Sequence, residues 1–362
     1  MDNKIKVGII SIYSAPYRDD TFKLLANQED ISLTVLSLGE KHLDHTEWQY
    51  KSGLNTLYFG KNRWKLLKSL GVSVLVIAGD YFTTMSAVLY CIIHKTPYII
   101  MADSVEKNVS GSRFSTIKTV VWRNVLEKAN AIWCSGKRSK EFFSGLVSRP
   151  EKIYCGCYTF DASKIKDQAE LSDGDKNELL MELFGCIPNE PIFLFVGHLI
   201  KSRNIKALID ASEKLSRQVA FKLLIIGDGE DADQIDTTRK NIRHIKAVPF
   251  EDLHKYYGIS TCYVHPGKEP YSLALYEAAI VGLPIVASDQ VGAVDDCLID
   301  GENGYVIKNL DSDILAKAML KIVNKEYNVE KCKEMSKFIL DERSILWAQS
   351  QLKQAIYRSC DM

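Results

Sequence analysis

The chain of 362 residues sets short apolar, β-branched runs against longer segments of helical spacing, and does so twice; few folds accommodate that rhythm. In the first half the runs at 5–11, 33–38, 72–78, 98–101, 131–134 and 152–155 read as strands, with helical segments such as 83–94 and 114–128 between them. Near-continuous apolar runs are what strands covered on both faces by crossover helices require, so an α/β, doubly wound parallel sheet is expected. A polar stretch at 157–185 reads as a linker. A second series follows, with strands at 191–198, 220–226, 242–245 and 262–265 and a helix at 205–215. Residues 335–358 read as helix without a strand. The expected division is 1–175, 186–334 and a terminal segment, 335–362.

A hydrophobic content of 46% and a charged content of 25% are ordinary for a soluble globular protein. No apolar run approaches the roughly 18 residues of a spanning helix. The opening apolar run lacks a small-residue cleavage pattern and reads as a first strand rather than a signal peptide. Nine cysteines are scattered, with only Cys155 and Cys157 close together, which predicts reduced, buried thiols and a cytoplasmic protein. Charge is unevenly divided: residues 1–160 carry 21 Lys+Arg against 14 Asp+Glu, and the remainder 25 against 32. That is too weak a basic footprint for a nucleic-acid partner. The basic half, with its amphipathic segments 61–68 and 113–128, suits an anionic membrane surface or a phosphate-bearing acceptor, and equally a solvated charged face.

The stretch from His265 to Asp300 carries the chemistry. Pro266, Gly267 and Pro270 put Glu269 on a loop, and Ser272 is placed to cap a helix from Leu273 to Val281 that Gly282 and Pro284 stop. Glu277 is the one charged residue in that helix, so it should be buried and hydrogen-bonded. The helix start directs free N–H groups at an anion. Two acids flanking an anion site suit a nucleotide diphosphate sugar.

This stretch resembles the signature of retaining glycosyltransferases of family 4: two Glu separated by seven residues, then Gly282-Leu283-Pro284, a Gly-containing loop and Asp300-Gly301-Glu302-Asn303-Gly304. The resemblance is strong over 191–308 and weak before 186. It implies the GT-B fold, two Rossmann-like domains facing a cleft, with the last helix crossing back to the first domain. It also implies roles. Glu277 would hold the nucleotide ribose and Glu269 the donor hexose. Gly197-His198-Leu199-Ile200-Lys201-Ser202-Arg203-Asn204 resembles the family's diphosphate-binding loop, with Arg203 at the position of its Lys. His198 replaces the family's first Arg, and Lys206 or Arg18 could compensate. Tyr271, Val248 and Pro249 would cradle the base, while Ser272 (often Gly in relatives) and Leu273 offer backbone N–H groups to phosphate. The loop Ile12–Arg18, with Tyr17 and Arg18, would face the acceptor or the phosphates. Asp103 follows a strand near the point where many relatives carry a sugar-contacting His; it is expected to be catalytic, or else to cap the next helix.

The implied activity is retaining transfer of a hexose-type sugar from a UDP- or GDP-linked donor to a saccharide or lipid-linked acceptor, in envelope or capsule polysaccharide synthesis. No cofactor and no metal are expected. The Asp-x-Asp pairs at 173/175, 231/233 and 311/313 lie outside strand ends, and Gly227-Asp228-Gly229 lacks the third glycine of a dinucleotide fingerprint. Two rivals are a nucleotide-sugar epimerase of the same fold and an inactive nucleotide-sugar-binding protein. A cytoplasmic protein, peripheral on the inner face of the membrane, is the expected setting.

Overall fold

The structure, a computed structural model, describes residues 4–12, 15–38, 53–79, 81–103 and 113–361, without the side chains of 16, 81 and 113–118. Tyr13, Ser14 and Ser104 lie outside the described residues, and so does the start of any helix that Asp103 would cap. The chain divides into two compact units, Met1–Asp161 with Arg343–Met362, and Ala162–Glu342.

The first unit is built on seven parallel strands: β1 Ile5–Ser11, β2 Ile31–Ser37, β3 Thr56–Tyr58, β4 Val74–Ile77, β5 Tyr98–Ala102, β6 Ala131–Cys134 and β7 Ile153–Cys155. They lie in the order β3-β2-β1-β4-β5-β6-β7. Between them run α1 Pro16–Ala26, α2 Arg63–Leu70, α3 Tyr81–His94, α4 Arg113–Lys128 and α5 Lys137–Ser144. Successive strand residues point to opposite faces, and here both faces are covered. Ile10, Ile77, Ile100 and Ile132 pack under α2 to α5, against Leu67, Val88, Leu126 and Phe143. Val7, Val76, Ile99 and Trp133 pack on the other face, against Phe22 and Leu25 of α1.

The second unit has six parallel strands, β8 Ile192–Val196, β9 Lys222–Ile226, β10 Ile242–Ile245, β11 Cys262–His265, β12 Ile285–Ser288 and β13 Gly304–Ile307. Their order is β10-β9-β8-β11-β12-β13. The helices are α6 Ala162–Ala169, α7 Asp173–Phe184, α8 Ile205–Ser216, α9 Phe250–Gly258, α10 Leu273–Val281, α11 Val294–Cys297, α12 Ser312–Val323 and α13 Val329–Glu342. The chain leaves β8 toward one edge and returns to the other side of it at β11. In such sheets ligands bind outside the strand carboxyl ends at that switch.

The expected 157–185 linker is instead mostly helix, and the division falls at Asp161 rather than at 175 to 186. The reason is a short amphipathic pattern inside a polar composition: Ala162, Ile165 and Ala169 are buried on α6, and Leu180 and Leu183 on α7. The segment expected at 335–362 is also divided. α13 stays with the second unit, and a break at Arg343-Ser344 precedes α14 Ile345–Cys360, which packs on α1 and β6. Lys353 Nζ donates to Gln28 Oε1 (2.6 Å), and Leu352 and Ile356 join the face carrying Trp133.

All nine cysteines are free thiols, and seven are buried. Among the described residues no helix is long and apolar enough to cross a membrane.

Candidate functional site

The residues after β8 and β11 meet at the switch point of the second sheet. The loop Pro266–Pro270 lies against the turn before α8: Lys268 N–H donates to Ser202 O (2.7 Å), and a Cβ on Gly267 would sit 2.4 Å from the Arg203 backbone. Only glycine allows that approach. Glu269 is fixed from the other side by a bridge to Val291, whose neighbour Gly292 donates its N–H to Glu269 O (3.0 Å). A side chain at Gly292 would strike Pro270 O at 1.8 Å, so this loop too needs its glycine.

These contacts put Glu269 beside two nitrogen groups. Arg203 Nη2 donates to Glu269 Oε1 (2.7 Å), and the same guanidinium donates from Nη1 to Lys268 O (2.7 Å). His265 Nε2 lies 3.0 Å from Glu269 Oε2, while Gly267 N–H points at its Nδ1 (3.4 Å). A backbone donor at Nδ1 assigns the ring proton to Nε2, which therefore donates to the carboxylate. Burial would raise the Glu269 pKa, but the hydrogen bond and electrostatic pull of His265 and the charge of Arg203 outweigh it, and the net shift is downward. Glu269 is an ionised acceptor at neutral pH.

The next turn is the N-terminus of α10. Ser272 caps it, with its Oγ accepting from Leu275 N–H (3.4 Å), and holds φ at +84°. Positive φ costs a non-glycine residue on the order of 1–3 kcal/mol. Tyr271 is buried beside Tyr276, with ring centroids 6.0 Å apart. Glu277 is 3% exposed on the second turn of α10. Its Oε2 accepts from Tyr257 Oη (2.7 Å). Burial, with the neighbouring Glu277 carboxylate next, pushes the Tyr257 phenol well up, so it stays a donor.

The remaining sequence candidates separate. Val248 is half-buried and Pro249 exposed, immediately before α9. Gly197 and exposed His198 follow β8. Lys206 lies on the outer side of α8, bonded to Asp210 Oδ2 at 2.8 Å, with its side chain 72% exposed. Asn303 serves the chain turn: it is 1% exposed, accepting from Ile299 N–H (2.7 Å) and donating to Cys297 O (2.8 Å). Asp311 caps α12 by accepting from Asp313 N–H (2.6 Å).

In the first unit, Tyr17 and Arg18 are in the first turn of α1, not in a loop, because Pro16 starts the helix. The structure buries Arg18 to 4% exposure, with its guanidinium 5.1 Å from the Tyr17 ring centre. Beside it, burial lifts the Asp19 carboxyl to about 6. Asp103 directly follows β5 at the carboxyl edge of the sheet and is half-buried. Burial, then the charge of Asp103, raises the Tyr158 phenol well above its ordinary value.

Sequence reasoning gave no role to His265, Tyr257 or His254. His265 stood in the analysed stretch, and its spacing of four from Glu269 was a usable signal. The other two are polar residues at buried positions of amphipathic α9.

Residues 184–339 match the family model for glycosyl transferases group 1. Among curated proteins, the chain is 26% identical over 161 residues to the capsular polysaccharide biosynthesis glycosyltransferase CapM of Staphylococcus aureus, covering 42% of each. It is 30% identical over 171 residues to the sucrose-phosphate synthase of Spinacia oleracea, covering 40% of this chain and 16% of that one. The chain thus spans less than half the length of these relatives. Over nearly the whole chain it is similar in structure to Anabaena Alr3699/HepE in complex with UDP and glucose, with a TM-score of 0.75, 15% identity, and 98% and 99% of the two chains covered. The two doubly wound units are those of the GT-B fold.

Proposed function

We propose, for a chain whose residues 184–339 are a glycosyl transferases group 1 domain within a GT-B fold, that it is a retaining glycosyltransferase using a nucleotide diphosphate hexose. The observation that carries this reading is the placement of two carboxylates and a capped helix start at one switch point, with Arg203 joined to Glu269. In this reading Glu277 accepts from the nucleoside ribose, and Glu269 accepts from hydroxyls of the hexose. The α10 N-terminus, through Ser272 and Leu273, and Arg203 take the diphosphate. Tyr271 and the Val248-Pro249 backbone flank the base. Fixed donors of this kind stabilise a leaving diphosphate as its charge grows. His198 offers a ring nitrogen to the same phosphates, and Lys206 is a supplementary cation. Asp103 accepts a sugar or acceptor hydroxyl and stabilises positive charge developing at the anomeric carbon. Tyr17 and Arg18 shape the acceptor side; Arg18 does so from a buried position.

UDP and glucose in the HepE complex, and the capsular role in the name of CapM, support a UDP-linked hexose and an envelope or capsule glycan. The test is mass-spectrometric detection of transfer from UDP- and GDP-hexoses to saccharide and lipid-linked acceptors, in EDTA. Transfer should persist in EDTA and fall at least about tenfold in Asp103→Asn. Loss in EDTA with recovery in manganese would contradict metal independence. Free sugar-nucleotide isomers without transfer would identify an epimerase. Donor binding without turnover would identify a binding protein.

A membrane setting has its own observation. On α3, Phe82, Leu89 and Ile93 form one helical stripe and are 82%, 50% and 56% exposed. α2 lies beside it, with Trp64 and Tyr90 ring centres 5.9 Å apart, and carries the exposed Lys61, Lys65 and Lys68 at its start and outer face. An apolar stripe beside a cationic edge suits the headgroup layer of an anionic bilayer. The protein should sediment with vesicles containing anionic lipid at low salt and be released as salt rises. Equal sedimentation with neutral vesicles would contradict this.

A further inference from the structure

Behind Glu277 the second unit holds a polar group that the proposed chemistry does not use. Tyr257 and His254 sit one turn apart on α9, fully buried at 0% and 1% exposure, and both face α10. Tyr257 Oη approaches Glu277 Oε2 at 2.7 Å and Ala274 O at 3.2 Å. Its single proton goes to the nearer, charged oxygen. His254 Nε2 lies 3.7 Å from the other oxygen, Oε1, and makes no hydrogen bond. Its Nδ1 lies 2.7 Å from the atom placed as the amide oxygen Oε1 of Gln168 on α6. An amide can be turned either way about its axis. Turned with its NH₂ toward Nδ1, Gln168 fixes the ring proton on Nε2, aimed at Glu277.

Tyr257 holds one oxygen of the carboxylate by its hydroxyl, and His254 stands behind the second oxygen. A carboxylate on a three-bond side chain otherwise has several rotamers, and each rotamer not used for binding dilutes the one that is. We infer that Tyr257 and His254 are positioning residues for nucleotide binding, orienting and charge-stabilising Glu277 from the side away from its ligand. This rests on the ribose-binding reading of Glu277. It explains why two polar rings are buried in a helix whose other buried residue is Leu253.

The experiment is calorimetric titration of UDP, with GDP in parallel because the ribose is common to both. The proteins are wild type, Tyr257→Phe, Glu277→Ala and the double variant, each with its unliganded thermal midpoint recorded. Tyr257→Phe keeps the ring and removes only the donor, so affinity should fall on the order of tenfold, as for a lost bond to a charged acceptor. In the Glu277→Ala background the same change should have little further effect, since its target is gone. Full additivity of the two losses, or Tyr257→Phe at wild-type affinity beside a weakened Glu277→Ala, would overturn the inference. Glu277→Ala at wild-type affinity would overturn the ribose reading, and the inference with it. If Tyr257→Phe fails to fold, His254 supplies the test: His254→Leu should weaken both nucleotides, and His254→Gln, which retains a donor, should recover most of the loss. Equal affinities in those two variants would contradict a positioning role.

Discussion

Glu269→Gln is expected to lower sugar transfer at least about a hundredfold while leaving the affinity for free UDP or GDP within a few-fold of wild type. Removing one preorganised electrostatic partner of a developing charge typically costs about 10²–10³ in turnover. Glutamine keeps the shape but not the charge. It also turns an NH₂ toward either Arg203 Nη2 or His265 Nε2, both of which donate to the carboxylate in the native protein. The nucleoside diphosphate is spared for a related reason. Arg203, released from its 2.7 Å bond to Glu269, turns its full charge to phosphate oxygens. Equal losses in transfer and in nucleotide affinity would show that Glu269 serves the nucleotide rather than the sugar.

The acid side of the pH profile follows from the same contacts. The Glu269 pKa lies below the ordinary value of 4.5, so its pairing contributes stability that is complete above that value and is lost as pH falls through the lower folded pKa. Acid inactivation by protonation of Glu269 should therefore begin below the range of an exposed glutamate.

Glu277→Ala is expected to do the opposite, weakening UDP and GDP at least about tenfold, as loss of a charge-assisted hydrogen bond to a ligand does. The fold should survive. Alanine suits the interior of a helix, its neighbours Ala278 and Ala279 are already small, and Tyr257 Oη retains Ala274 O at 3.2 Å. What remains is a small void where a buried carboxylate stood. A thermal midpoint near wild type with lost nucleotide affinity separates a binding role from a structural one.

Much of this was legible in the chain because it is local. The limits of α10 follow from Ser272 at its start and Gly282, at φ +86°, at its end. The burial of Glu277 follows from the apolar residues around it. β-Branched runs located the major strands because both faces of each sheet are covered. β3 escaped notice because a three-residue edge strand leaves no periodic pattern. The helices α6 and α7 were masked by polar surface residues around a thin buried face. Arg18 was read as a loop residue because burial of an arginine depends on what folds over it, which no spacing reveals. The partnership of Tyr257 with Glu277 joins residues twenty apart on neighbouring helices, and that of His254 with Gln168 joins residues 86 apart. Neither distance has a sequence signature.

The central claim is that the second unit holds a nucleoside diphosphate at the β8/β11 switch point, between Arg203 and the start of α10, with Glu277 on the ribose. Calorimetric titration of UDP and GDP into the wild-type protein, Arg203→Ala and Glu277→Ala, in EDTA, tests it most directly. The account predicts one-to-one binding of at least one of the two nucleotides by the wild type without added metal, weakened at least about tenfold by either substitution. No binding of either nucleotide by the folded wild-type protein, or binding unchanged in both variants, would contradict it.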